Sequence, residues 1–230
     1  MGARTENLSI RNLIRAGGAA LDLLYPPSLY CNCCGNVIDE SRSYHLCDHC
    51  LSHIRWDAAP AKELGGLKVL RCTEYGLYER TLIFALKYNG KTYIARDIAQ
   101  IMVDRLSLAE VSFDVIVPVP MYAAKERERG FNHAALMGKY LGRLVAKPHL
   151  SHGLLRRSNT RPMRGLSPAE RRQNVKGSFA VNEKYVKMIE GKSILLIDDF
   201  YTTGSTAQEC CSALRGAGAS EVCLLAFAAR

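Results

Sequence analysis

Short runs of branched apolar residues alternate along the chain with segments of helical periodicity. The runs FDVIVPVP, SILLIDDF and SEVCLLAFAA are rich in Val, Ile and Leu and end at polar residues or Pro, as buried strands do. FNHAALMGKYLGRLV and STAQECCSALRGAG lie between them and carry apolar residues at helical spacing. Strands that alternate with helices predict an α/β protein whose mainly parallel sheet has helices on both faces.

Two further features complete the pattern. TLIFALKYNGKTYIARDIAQIMVDRL has helical spacing on both sides of Asn89-Gly90, which predicts two helices joined at a turn. Residues 151–177 show no clear period and are polar, basic and interrupted by Pro and Gly. We expect a long loop or a set of short edge strands there.

Changes in this pattern divide the chain into three parts. Residues 1–28 predict an amphipathic helix that stops where two prolines follow Tyr25. Residues 29–57 form a cysteine-rich module, and the Ala-, Gly- and Pro-rich stretch after it leads to a main domain over residues 66–230. No apolar run reaches the roughly 18 residues that cross a bilayer, and charges interrupt the N-terminal segment, so we expect a cytoplasmic protein without a membrane span.

The positive charge of the chain is local. The net charge is +9, and residues 121–177 contain thirteen Lys and Arg residues against three Glu residues, so the rest of the chain is close to neutral. A local surplus favours a phosphate-bearing or polyanionic ligand at one face, although a solvated basic loop has the same composition. The stretch has three aromatic residues, which favours contact with phosphates over base stacking.

Two C-x2-C pairs separated by twelve residues predict a structural zinc site. Two such pairs can fold back to present four thiolates in the tetrahedral arrangement that zinc prefers. Paired disulfides are the alternative, and a cytoplasmic location disfavours them. Cys33 is an extra thiol inside the first pair, and three nearby histidines are alternative ligands. The spacing favours as ligands Cys31, Cys34, Cys47 and Cys50.

Two carboxylates and a hydroxyl-rich loop follow the buried run in ILLIDDFYTTGST. Asp198 and Asp199 come at the carboxyl end of the predicted strand, where open α/β sheets bind ligands. Gly204 and the hydroxyl groups around it precede a helix, whose N-terminus suits a phosphate. A ribose 5-phosphate would place its hydroxyl groups on the acids and its phosphate in the loop. A helix N-cap cluster is the simpler alternative.

These residues resemble the phosphoribosyl pyrophosphate (PRPP) motif of type I phosphoribosyltransferases, and the chain as a whole resembles the ComF family of competence-associated proteins. The resemblance extends over the N-terminal helix with its YPP end, the two C-x2-C pairs, VPVPM, RERGFN, LSPAERRQNVKGSF and IDDFYTTGST. It implies an α/β fold with a type I phosphoribosyltransferase-like parallel sheet flanked by helices and preceded by a small zinc-ribbon module.

The resemblance also implies roles for individual residues in a PRPP pocket. Asp198 and Asp199 would bind the ribose hydroxyl groups, and magnesium would be held largely by PRPP itself. The 5-phosphate would lie on Thr202, Thr203, Gly204, Ser205 and Thr206. The pyrophosphate would lie near Val119, Pro120, Met121 and Lys125, and catalytic roles would fall on Asp198, Asp199, Arg127 and Arg129.

The stretch 156–176 corresponds to the family's flexible loop, which closes over PRPP. Its basic residues are also candidates for nucleic-acid contact: Arg156, Arg157, Arg161, Arg164, Arg171, Arg172 and Lys176. Met163 stands in this loop where family members commonly have Gln, which implies that a polar interaction is missing on closure. Tyr122 and His133 also depart from the residues common in the family, His and Gln respectively.

The resemblance implies a PRPP-binding protein of natural transformation that handles incoming single-stranded DNA together with other competence proteins. The alternative is an active phosphoribosyltransferase of nucleotide metabolism or salvage, which joins ribose 5-phosphate to an unknown base or amine. A PRPP-sensing regulator is a third hypothesis, but no helix-turn-helix signature supports it.

Overall fold

The computed structural model describes residues 29–158, 160 and 165–230, and it divides the chain into two compact units between His53 and Ile54. The predicted N-terminal helix over residues 1–28 lies outside the described residues, as do Arg161, Met163 and Arg164. None of the described helices is long and apolar enough to span a membrane.

The first unit is small. Its described part contains one 3-10 turn, Ser43–His45, and one short helix, α1 (Asp48–His53). The buried apolar side chains are Cys31, Ile38, Leu46 and Cys50. Within residues 29–53, so few buried groups form only a minimal hydrophobic core, and a segment of this kind depends on a metal or on crosslinks for its stability.

The second unit has the alternating strands and helices that the sequence predicts. In chain order its main elements are β1 (Lys62–Leu64), β2 (Leu67–Glu74), α2 (Leu77–Tyr88), α3 (Ile94–Leu108), β3 (Val115–Pro118), α4 (Ala123–Arg129), α5 (His133–Leu144), β4 (Leu154–Arg156), α6 (Pro168–Val175), β5 (Phe179–Val181), α7 (Val186–Ile189), β6 (Ser193–Tyr201), α8 (Ser205–Gly216) and β7 (Glu221–Ala229).

Five strands form one sheet in the order β1-β2-β7-β6-β3. The four strands from β2 to β3 are parallel, and β1 is an antiparallel edge strand. β4 and β5 form a separate antiparallel pair. The prediction of a mainly parallel α/β sheet flanked by helices is therefore confirmed.

The two faces of the sheet carry different helices. On one face Ile194 and Leu196 of β6 join a core that includes Cys210 and Leu214 of α8. The other face is covered by α5, which packs against β3 and β6, and by α3, which packs against β2 and β7. Because successive strand residues point to opposite faces, neighbours in β6 belong to different cores.

The sequence did not predict β2, and it predicted the secondary structure of the basic stretch only in part. LKVLRCTE of β2 alternates too weakly, since both of its faces are largely buried, and it directly follows a Gly-rich segment. Residues 151–177 contain the edge strand β4, as expected, but also the helix α6. That helix begins with a capping box in which Ser167 and Glu170 exchange side-chain to backbone hydrogen bonds.

A buried carboxylate fixes the start of α2. Glu79 is fully buried, and its two carboxylate oxygens accept hydrogen bonds from the backbone N–H groups of Arg55 at 2.9 Å and Gly76 at 2.8 Å. The contact ties α2 to the segment that precedes β1. It also sets the position of Lys87, which lies two turns further along the helix.

Replacing Glu79 should destabilise the main unit. Glu79→Ala leaves two backbone N–H groups without their charged acceptor, so we expect a loss of about 2–4 kcal/mol in the free energy of unfolding, measured by urea denaturation. Glu79→Gln keeps one carbonyl acceptor and should lose less. The exposed Glu183→Ala is the control, and equal stability of the Glu79 and Glu183 alanine variants would contradict the role assigned to Glu79.

Candidate functional site

The two acids were expected to follow the strand, but both lie within β6, near its carboxyl end. β6 continues to Tyr201 because Phe200 and Tyr201 still pair with Ala228 and Ala229 of β7. The strand period of two therefore gives Asp198 and Asp199 different surroundings. Asp198 lines a cavity together with the hydroxyl-rich loop, whereas Asp199 is buried against α2 and α5.

Asp199 is held by two basic side chains. Its Oδ2 atom forms an ion pair with the ammonium of Lys87, and its Oδ1 atom lies 2.8 Å from Nε2 of His133. Nη1 of Arg129 lies 3.1 Å from Nδ1 of the same ring. Because a guanidinium can only donate, Nδ1 accepts this hydrogen bond and Nε2 donates to Asp199. Arg129 also covers the ring of Tyr88 at 5.1 Å.

These contacts make the two carboxyl groups chemically unequal. Burial alone would raise the pKa of Asp199, but its contacts with His133 and Lys87 outweigh burial and hold that pKa below the usual value. Burial and the neighbouring charge of Asp199 raise the pKa of Asp198. One acid is therefore an anion that is already paired, whereas the other lines the cavity beside the hydroxyl-rich loop.

The segment RERGFN places His133 at the site. Gly130 ends α4 in the left-handed region, with φ of 86°. Asn132 then caps α5, since its Oδ1 atom accepts hydrogen bonds from the N–H groups of Ala134 and Ala135, and its amide donates to the carbonyl of Val119 at 3.1 Å. Asn132 thereby fixes α5 to the loop after β3.

The hydroxyl-rich loop forms the N-terminus of α8. Gly204 has φ of 75°, and the hydroxyl oxygen of Tyr201 lies 2.6 Å from the point that a Cβ atom at this residue would occupy. Only glycine fits there. Thr203 Oγ1 and Ser205 Oγ lie 3.1 Å apart, so the loop presents clustered hydroxyl groups beside the free N–H groups of a twelve-residue helix.

A small cavity joins the loop to Asp198. Its volume is about 50 Å³, and it is lined by Asp198, the residues 200–207 and Arg171. Arg171 Nη1 lies 3.5 Å from Thr202 Oγ1, which brings one cation of the basic stretch to the hydroxyl-rich loop. On the outer side of the loop is a cleft of about 520 Å³, which Arg172 and Lys176 also line.

The other predicted basic residues are spread more widely. Lys125 and Arg127 are exposed on α4, and Arg157 is exposed after β4. Arg156 is half-buried over the ring of Phe179 at 5.5 Å, and burial lowers its pKa. The predicted pyrophosphate loop, residues 119–121, directly follows β3 beside β6, and the N–H of Val119 donates to the carbonyl of Ile197.

The four predicted thiols of the cysteine module lie together. The sulfur atoms of Cys31, Cys34, Cys47 and Cys50 are all within 4.8 Å of one another, and those of Cys34 and Cys47 are 3.7 Å apart. Four sulfur atoms placed tetrahedrally at about 2.3 Å from zinc would be about 3.8 Å from each other. The arrangement therefore fits zinc.

Backbone N–H groups point at these sulfur atoms and favour the thiolate form, which is the form that binds a metal. The N–H groups of Cys47 and Cys50 point at the sulfur atoms of Cys31 and Cys47, at 3.4 and 3.5 Å. Burial raises the pKa of Cys31, but backbone N–H donors lower it more, to about 7. Cys33 lies outside the four-sulfur cluster, and burial raises its pKa to about 11. The described residues thus contain one thiol set with metal-binding geometry.

Sequence reasoning did not find Lys87 and treated His133 only as a departure from the family. A signal for Lys87 was present, because it follows Ile83 by four residues and so lies on the apolar stripe of α2. A lysine on a buried stripe needs a partner, and the only way to identify Asp199 as that partner is the three-dimensional fold.

Comparison with known proteins agrees with the motifs. No protein-family model matches the chain. Competence protein F of Haemophilus influenzae is 29% identical over 201 residues, which cover 82% of this chain and 86% of that protein. DNA utilization protein YhgH of Escherichia coli K12 is 25% identical over 84% of this chain and 86% of that protein.

Among solved structures, the glutamine phosphoribosylpyrophosphate amidotransferase of B. subtilis aligns with 57% of this chain and 26% of its own, at 23% identity and a TM-score of 0.39. A similarity of this size assigns no activity. The curated relatives match over most of their length and over more than four fifths of this chain. This similarity to a competence protein and a DNA utilization protein supports the resemblance to the ComF family that the motifs indicate.

Proposed function

We propose that the protein binds PRPP, with the ribose 5-phosphate part held between Asp198 and the N-terminus of α8. The observation that carries this proposal is the cavity in which Asp198, clustered hydroxyl groups and Arg171 converge at the start of a long helix. A sugar phosphate supplies both chemistries that such a cavity needs. Its hydroxyl groups donate to a carboxylate, and its phosphate accepts from N–H and O–H groups.

Each residue would have a separate role in binding PRPP. Asp198 accepts hydrogen bonds from the ribose hydroxyl groups, and Thr202, Thr203, Ser205, Thr206 and the backbone at Gly204 hold the phosphate. Arg129, whose Nη1 lies 3.9 Å from Sδ of Met121, and the loop 119–121 would contact the pyrophosphate. Magnesium would enter on the pyrophosphate and stabilise the charge that develops there. Asp199 keeps Lys87 and His133 in place and does not itself contact the sugar.

The inequality of the two acids gives a test of the PRPP site. Asp198→Asn removes one charge-assisted contact and leaves the Lys87 ion pair intact, so PRPP affinity should fall by about 10- to 100-fold with little change in thermal stability. Calorimetry with PRPP and magnesium measures the affinity. Asp104→Asn on α3, which lies outside the site, is the control.

Affinity for PRPP that is the same in Asp198→Asn and in the unchanged protein would contradict the assignment. Asp199→Asn is a poorer probe, because it leaves the buried ammonium of Lys87 without its counter-ion. That variant should lose stability as well as binding.

We further propose that the first unit holds one structural zinc ion. The purified protein should contain about one zinc per chain, measured by elemental analysis. Cys34→Ser should lose most of this zinc, whereas Cys33→Ser should keep it, because Cys33 lies outside the cluster. Equal zinc loss in the two variants would contradict this ligand set. A closed site of four thiolates has no open position, so the zinc would be structural.

Finally, we propose that the protein handles DNA, as the names of its relatives, a competence protein and a DNA utilization protein, suggest, and that this DNA is single-stranded. The supporting observation is the basic pair Arg172 and Lys176, one turn apart beside the phosphate loop. Such residues contact phosphates without reading bases.

A matched pair of double variants tests DNA binding. Arg172→Ala/Lys176→Ala should weaken binding of an oligothymidylate and reduce the slope of log K against log salt by about 1.4, or about 0.7 for each phosphate that is no longer neutralised. Lys184→Ala/Lys187→Ala removes the same charge from an exposed segment between β5 and β6 and is the control. Equal slopes in the two variants, or binding that salt does not affect, would exclude this surface.

A further inference from the structure

Three ligand atoms at the end of β6 have the spacing of a metal site. One atom each from His133, Asp198 and Asp199 lies within 4.8 Å of the other two. An imidazole and two carboxylates form a ligand set that divalent transition metals accept. Such a cluster beside a sugar-phosphate cavity would ordinarily be expected to bind a cation.

A cation from the chain itself already lies in this cluster. The ammonium of Lys87 contacts Oδ2 of Asp199, and the lysine side chain is 18% exposed while that of Asp199 is 6% exposed. Lys87 reaches this position because α2 ends beside the sheet, and Glu79 fixes the other end of the helix. An ammonium is a compact charge with three donors, and it repels a second cation at this distance.

We infer that Lys87 is the resident cation of the site and occupies the place that a divalent metal would take among His133, Asp198 and Asp199. The consequence for ligands rests on the proposed function. A sugar phosphate without pyrophosphate, such as ribose 5-phosphate, binds without any metal. Magnesium reaches the site only as part of a complex with a pyrophosphate-bearing ligand.

Removal of Lys87 should therefore create a metal site. Lys87→Met keeps most of the length and the apolar stem of the side chain and removes its charge. In a Mn²⁺ titration followed by electron paramagnetic resonance on the zinc-loaded protein, Lys87→Met should bind about one Mn²⁺ per chain at least tenfold more tightly than the unchanged protein. Adding His133→Ala to Lys87→Met should abolish that gain.

Lys91→Met is the matched control, since Lys91 is exposed three residues beyond the end of α2. It should bind Mn²⁺ no more tightly than the unchanged protein. A purely structural role for Lys87 would change stability but would not create a Mn²⁺ site. The inference is overturned if the folded Lys87→Met variant gains no Mn²⁺ binding, or if the unchanged protein binds Mn²⁺ equally well.

A second measurement needs no variant and so does not depend on the folding of Lys87→Met. Ribose 5-phosphate is titrated into the unchanged protein, with and without magnesium, in buffers freed of metals by a resin so that the zinc is retained. The affinities should agree within about twofold. A tenfold gain with magnesium would overturn the inference. Absence of binding in both buffers would instead contradict the proposed function, and the Mn²⁺ titration would decide the role of Lys87 alone.

Discussion

The ion pair between Lys87 and Asp199 is the constraint on which the geometry of the site depends. It joins the end of α2 to the interior strand β6, and His133 attaches the start of α5 to the same carboxylate. A buried carboxylate is costly unless it is paired, so these three elements cannot separate without leaving a charge unpaired in a region of low polarity. Asp198 takes no part in this ion pair, and in the proposed function it is the acid that would contact the ribose.

The fold could be predicted largely from periodicity. The strands β3, β6 and β7 and the helices α5 and α8 follow from apolar runs, helical spacing and the positions of Pro and Gly. β2 could not be found in this way, because a strand that is buried on both sides resembles any short apolar segment. The helix α6 was hidden by its composition, since it has almost no apolar face and is marked only by its capping box.

The sequence predicted individual residues of the candidate site but not the contacts between them. The spacing of the four cysteines predicts the cluster that they form, since two C-x2-C pairs so close in sequence form a local structure in which sequence distance limits spatial distance. The pair of aspartates is different. Nothing local distinguishes Asp198 from Asp199, and their unequal roles arise from residues 66 and 112 positions away in the sequence, His133 and Lys87. Contacts of that range depend on the topology of the whole sheet.

With Lys87 in place of a metal ion, selectivity between ligands would arise differently at this site. Where a metal ion binds the acids, ligand affinity follows the metal concentration, and other divalent ions compete for the position. An ammonium carried by a helix of the chain is always present, at an occupancy set by folding. It carries half the charge of a divalent ion, so it can neutralise Asp199 without drawing a free phosphate or pyrophosphate strongly toward the acids. The proposed site would therefore favour ligands that bring hydroxyl groups to Asp198 and a phosphate to α8 together.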